Sequence, residues 1–197
     1  MKLPIIAYGD PILRKKASEI DLIYPDLDIL ISNMFETMYA AHGVGLAAPQ
    51  VGLSIRLFIV DAKPFAEDDK ELTSFKKVFI NPQILEEKGD TSTFNEGCLS
   101  IPDVREDIDR KDTIHVTYLD EKGKAHQEVY TGIAARIIQH EYDHIEGKLF
   151  VDKLSPLRKA MLKGKLESIS KGLIKVAYKM KFPALKNTSK QRGKHKR

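Results

Sequence analysis

The sequence has no tryptophan and a single cysteine, Cys98, in 197 residues. One cysteine cannot close an internal disulfide, so the stapled framework of a small secreted domain is excluded and a reducing cytoplasm is the expected setting. Glycine (12) and proline (9) are too sparse for a fibrous or low-complexity chain, and 42% hydrophobic residues are enough to build a core. No apolar run reaches bilayer-spanning length, and the N-terminus lacks the apolar stretch of a signal peptide; neither membrane insertion nor export is expected. Acidic residues are nearly missing from one end. Residues 153–197 hold 15 Lys and Arg against one acidic residue (+14), whereas residues 1–152 hold 17 against 27 (−10). A polycation beside an acidic body suits docking on phosphate, with RNA rather than DNA as the expected partner and a salt-dependent affinity; the alternative is a solvated tail.

The length fits one domain. A short helical turn is expected near residues 11–16. A longer helix is expected over 25–41, where Leu27, Leu30, Ile31, Met34, Phe35 and Met38 recur at three-and-four spacing. Residues 56–60 and 77–84 read as strands flanking an acidic loop at 67–71, and 114–118 with 124–130 read as a hairpin. Thr131 stands where it can cap a helix over 132–146 that Gly147 ends, and Ser155-Pro156 opens another, weakened by Gly164 and Gly172. From 174 to 180 the period changes to two, which predicts a strand. These elements predict an α+β fold: antiparallel or mixed sheets packed around a long central helix, with further helices near the N- and C-termini.

That central helix carries His140-Glu141-Tyr142-Asp143-His144. Two imidazoles at i and i+4 share a face and can reach one cation, and a carboxylate beside the first can take a proton from water activated there. Ile133, Ile137, His140 and His144 form one stripe of an apolar helix, so the histidines point inward, where they need a partner. A third ligand is required, and Cys98 in Glu96-Gly97-Cys98-Leu99-Ser100 is the candidate. A Cys/His/His set accepts Zn(II), Fe(II), Co(II) or Ni(II).

Three segments together, Gly43-Val44-Gly45-Leu46-Ala47-Ala48-Pro49-Gln50, Glu96-Gly97-Cys98-Leu99-Ser100 and Gln139-His140-Glu141-Tyr142-Asp143-His144, resemble in order and spacing the signature motifs of the peptide deformylases over about residues 1–160. The third ligand separates this resemblance from the zincin proteases, which supply a downstream His or Glu; here the cysteine lies 42 residues before His140. The resemblance implies hydrolysis of the N-formyl group from the formyl-methionine of new polypeptides, releasing formate, by a metal-activated hydroxide with Glu141 as general acid and base. It implies one divalent ion on Cys98, His140 and His144, Fe(II) in the cell, with Zn(II), Ni(II) or Co(II) able to replace it. Gln50 and the Leu99 N–H would serve the developing oxyanion. Val44 and Gly45 would hold the peptide main chain, Gly45 being small enough for close approach. Ile133, Ile137 and Val44 would wall the methionine pocket, with Arg136 at its edge and its head towards solvent, and Arg105 would bind peptide carbonyls. Glu96 and Arg110 would pair to steady the cysteine loop.

The expected organisation is a catalytic domain over residues 1–180 and a basic tail over 181–197 that docks on the ribosome, with nascent formyl-Met chains as substrate. Two other readings use the same residues. A metallopeptidase would share the Glu141 chemistry on internal bonds. An RNA-associated protein with a structural metal would need a fourth protein ligand, which no motif supplies.

Overall fold

The computed structural model describes residues 1–183 apart from positions 22 and 68. The elements in chain order are β1 (Ile5–Ile6), α1 (Leu27–Ala40), β2 (Gly45–Ala47), β3 (Leu57–Asp61), β4 (Lys76–Cys98), β5 (Ile101–Leu119), β6 (Ala125–Thr131), α2 (Gly132–Ile145), α3 (Pro156–Ser170) and β7 (Met180–Lys181). Strands β2 to β6 form one antiparallel sheet in sequence order, and β7 pairs in parallel with β1. The α+β class agrees with the sequence reading.

Strand alternation explains the layering. In β3, Phe58 and Val60 face one side and pack with Ala134, Ala135 and Ile138 of α2; Leu57 and Ile59 face the other and pack with Ile31, Met34 and Met38 of α1. Covered on both faces, β3 is a continuous apolar run. A third cluster sets Ile101, Val104 and Ile108 of β5 against Phe150, Val151, Leu166 and Ile169, which seats α3.

The two long strands β4 and β5 were only partly legible. The apolar pattern predicts a strand only over 77–84 and leaves the cysteine segment as a loop. Instead β4 continues to Cys98, and β5 returns from Ile101 with Glu96 opposite Glu106 and Gly97 opposite Arg105. Between 103 and 110 burial alternates strictly, but the inward set is Val104, Glu106, Ile108 and Arg110. Two buried charges hide the strand signal in a pattern that looks for apolar residues.

Thr131 occupies the N-cap of α2 without a side-chain bond to the helix. At the other end Gly147 has φ 72°, and a Cβ there would lie 2.7 Å from the Arg14 carbonyl, so a bare backbone is needed. The strand expected over 174–180 is corrected: only Met180 and Lys181 enter a sheet. Half-buried Ile174, Val176 and Tyr178 do alternate with exposed Lys175, Ala177 and Lys179. The side chains keep the period of two, but no neighbouring strand among the described residues completes the ladder. Of the expected basic tail, residues 184–197 lie outside the described residues.

Candidate metal centre

Cys98 ends β4, and His140 and His144 sit one turn apart on α2. Their ligand atoms all lie within 4.8 Å of one another, and Cys98 Sγ is 3.3 Å from His144 Nε2. His140 Nδ1 bonds Glu96 Oε2 at 3.0 Å, which turns its Nε2 towards the other two. Glu141, on the same helix, is 4% exposed, and its Oε2 is buried with no partner among the described residues. A buried carboxylate oxygen without a partner, beside one sulfur and two nitrogen donors, fits a divalent cation and the water it carries. Burial pushes the Glu141 carboxyl up to about 7, and a cation on the three donors would draw it back down.

Gly45 of β2 backs directly on this carboxylate. A Cβ at that position would stand 2.3 Å from Glu141 Oε1. Gly45 also lines the cavity into which the centre opens. Gln50 follows on the turn after β2. Its Oε1 accepts the Ala47 N–H at 2.8 Å, which commits its amide nitrogen to donate towards Cys98 Sγ (3.4 Å) and Ser100 Oγ (3.3 Å).

Glu96 organises a charged cluster behind the ligands. Arg110 donates to both of its oxygens, at 2.7 and 3.0 Å, and also to Asp143 at 2.8 Å. Arg136 corrects the sequence reading. Its head does not reach solvent: the residue is 5% exposed, and Nη1 donates to Glu96 Oε1 at 2.8 Å and to the Ile108 carbonyl at 3.0 Å, while Nη2 reaches the Ser92 carbonyl at 2.6 Å. A guanidinium can be buried here because a carboxylate and two carbonyls satisfy it. Burial alone would raise the Glu96 carboxyl, but hydrogen bonds from His140 and Arg110 outweigh it and hold the group well below the usual carboxylate range.

The centre opens into a cavity of about 610 Å³. Val44, Ile133 and Ile137 line it as expected for an apolar pocket, together with Phe65 and Phe94, which the sequence reading did not single out. The two rings meet edge to face at 6.5 Å. Phe65 comes from the connection between β3 and β4, just ahead of the acidic run at 67–71. Leu99 and Arg105 also line the cavity; the exposed Arg105 is tied to Asn95 Oδ1 at 2.9 Å.

A half-buried to buried Cys/His/His donor set, with a buried carboxylate next to the first histidine on an α+β frame, defines a metal-dependent hydrolase. The polypeptide deformylase family model matches residues 2–160, and the chain belongs to that family. It is 60% identical to the peptide deformylase of Christiangramia forsetii, over 94% of this chain and 98% of that protein. The crystal structure of the Thermotoga maritima peptide deformylase matches with a TM-score of 0.71 at 40% identity, covering 79% of this chain and 99% of that one. That of the Synechococcus elongatus peptide deformylase in complex with actinonin matches with 0.74 at 37% identity, covering 91% of each.

Proposed function

We propose that the chain removes the formyl group from the N-terminal formyl-methionine of newly made polypeptides, giving formate and a free amino terminus. The observation that carries this reading is the buried Glu141 carboxylate set against Cys98, His140 and His144. A divalent ion held by those three residues supplies a Lewis acid that makes water a nucleophile near neutral pH. Glu141 takes the proton released as water adds to the formyl carbon and returns it to the departing peptide nitrogen, so the carboxylate is regenerated each cycle. Gln50 Nε2 and the Leu99 N–H donate to the oxygen on which charge develops. Glu96 and Arg110 hold His140 and the end of β4 in place. Val44 and Gly45 hold an extended peptide main chain alongside β2, Ile133 and Ile137 take the methionine side chain, and Arg105 at the rim meets the following carbonyls. Arg136 shapes this pocket from behind, through Glu96.

The donor set is borderline-soft, and we assign Fe(II) as the cellular metal, replaceable by Zn(II), Ni(II) or Co(II). Residues 1–180 are the catalytic domain and 181–197 a basic tail, working in the cytoplasm; among the described residues no helix is long and apolar enough to cross a membrane. The exposed Lys159, Lys163 and Lys165 of α3 add to the positive charge of the sequence from 153 onward and support ribosomal RNA as a docking partner. The test is formate release from formyl-Met-Ala-Ser against cleavage of an end-blocked peptide of the same residues. Formate from the first and no cleavage of the second is expected; internal cleavage, or no formate from metallated protein, overturns the reading. Removing 184–197 is expected to leave that turnover intact and to weaken ribosome co-sedimentation at low salt.

A further inference from the structure

The turn that carries Cys98 is two residues long, Leu99 and Ser100, between Cys98 and its β5 partner Ile101. It holds a metal-ligating sulfur and one oxyanion donor, so small rotations of its peptide units move both. Ser100 is fastened twice: its carbonyl accepts the Tyr8 N–H at 2.8 Å, and its hydroxyl meets Gln50 Nε2 at 3.3 Å. Leu99 is fastened from elsewhere. Its carbonyl accepts a hydrogen bond from the Tyr178 hydroxyl at 2.8 Å, across 79 positions of sequence.

Tyr178 belongs to the irregular segment that follows α3, ahead of the two residues that form β7. The segment is anchored on both sides of the tyrosine. Ile174 on one side, and Met180 and Phe182 on the other, pack against the third core cluster, and β7 locks onto β1. Between these anchors, Lys175, Val176, Ala177 and Tyr178 line the same cavity as Cys98, His140 and Glu141.

We infer that Tyr178 is a positioning residue for the metal centre, its hydroxyl holding the Leu99 carbonyl and so setting the Cys98-Leu99-Ser100 turn. The inference rests on the proposed deformylation for its catalytic consequence but not for its structural one. The C-terminal segment is then part of the working site, although the motifs that define the family end well before it.

The test is Tyr178→Phe, which keeps the ring and removes one donor, in full-length protein loaded with Co(II). Three readouts are made per bound cobalt: kcat and KM on formyl-Met-Ala-Ser, the sulfur-to-cobalt absorption band, and amide hydrogen exchange at residues 99–101. One net hydrogen bond corresponds to about a three- to tenfold fall in kcat. KM is expected to stay within about twofold. The band is expected to shift and exchange at 99–101 to quicken. A kcat, a band and an exchange rate all equal to those of the parent overturn the inference, as does a lowered melting temperature with unchanged kcat and band. If the parent itself releases no formate, deformylation fails, while the band and exchange still decide the role of Tyr178.

Discussion

Glu96 is the residue whose loss reaches furthest into the site. One carboxylate, 6% exposed, accepts from Arg110, Arg136 and His140. Glu96→Gln keeps the shape and removes the charge, leaving two buried guanidiniums with less to neutralise them. Arg110 retains Asp143 and Arg136 retains its carbonyls, so the loss falls at the low end of that for a broken buried ion pair, about 3 kcal/mol. For a chain of this size that lowers the melting temperature by roughly 6–12 °C. His140 also loses the acceptor that fixes its ring, which weakens metal binding about 10- to 100-fold. Thermal denaturation of the metal-free protein reads the first effect and metal release to a chelator reads the second. A variant with the parent's melting temperature and release rate would refute the argument that Glu96 ties the strand pair to the ligand helix.

Two further substitutions probe Gly45 and Glu128. Gly45→Ala puts a methyl 2.3 Å from Glu141 Oε1 and must displace the carboxylate, so kcat is expected to fall on the order of 100-fold with metal content unchanged; parent-level turnover would contradict it. Away from the site, burial works to raise Glu128, but the Tyr130 and Tyr118 hydroxyls and Lys77 at 2.9 Å bring it down to about 2 from an ordinary 4.5. A depressed carboxylate contributes stability above its unfolded pKa and loses it as pH falls towards the folded one. Glu128→Gln is therefore expected to melt below the parent at pH 6 and to converge with it between about pH 4.5 and pH 2; a gap that persists at pH 2 would show that the charge is not its source.

How much was legible in the sequence follows from what each residue answers to. Metal ligation demands particular side chains at particular spacings, so Cys98, His140 and His144 could be read before any fold was known. Helix α1 was legible from its apolar stripe and α3 from its Ser155-Pro156 start, both of them local features. The first half of strand β5 was not, since its inward positions include Glu106 and Arg110, whose burial depends on Arg158, Glu96 and Asp143 elsewhere in the chain. Arg136 was misread for the same reason: an arginine on an apolar helix face looks like a snorkelling side chain, and only the fold brings the Glu96 carboxylate of β4 within reach of its guanidinium. Tyr178 depends on a contact with a carbonyl 79 positions away, which no periodicity reports.

In the proposed reaction Glu141 moves the proton at a metal centre built from Cys98, His140 and His144. The most direct measurement is formate release by anaerobically prepared protein beside Glu141→Gln, with metal quantified in both samples. Glu141→Gln is nearly isosteric, touches none of the ligand bonds, and cannot accept the proton. Rapid release by the parent and a fall of at least about 100-fold in the variant at equal metal content are expected. Equal turnover by the two metallated proteins would contradict this role of Glu141.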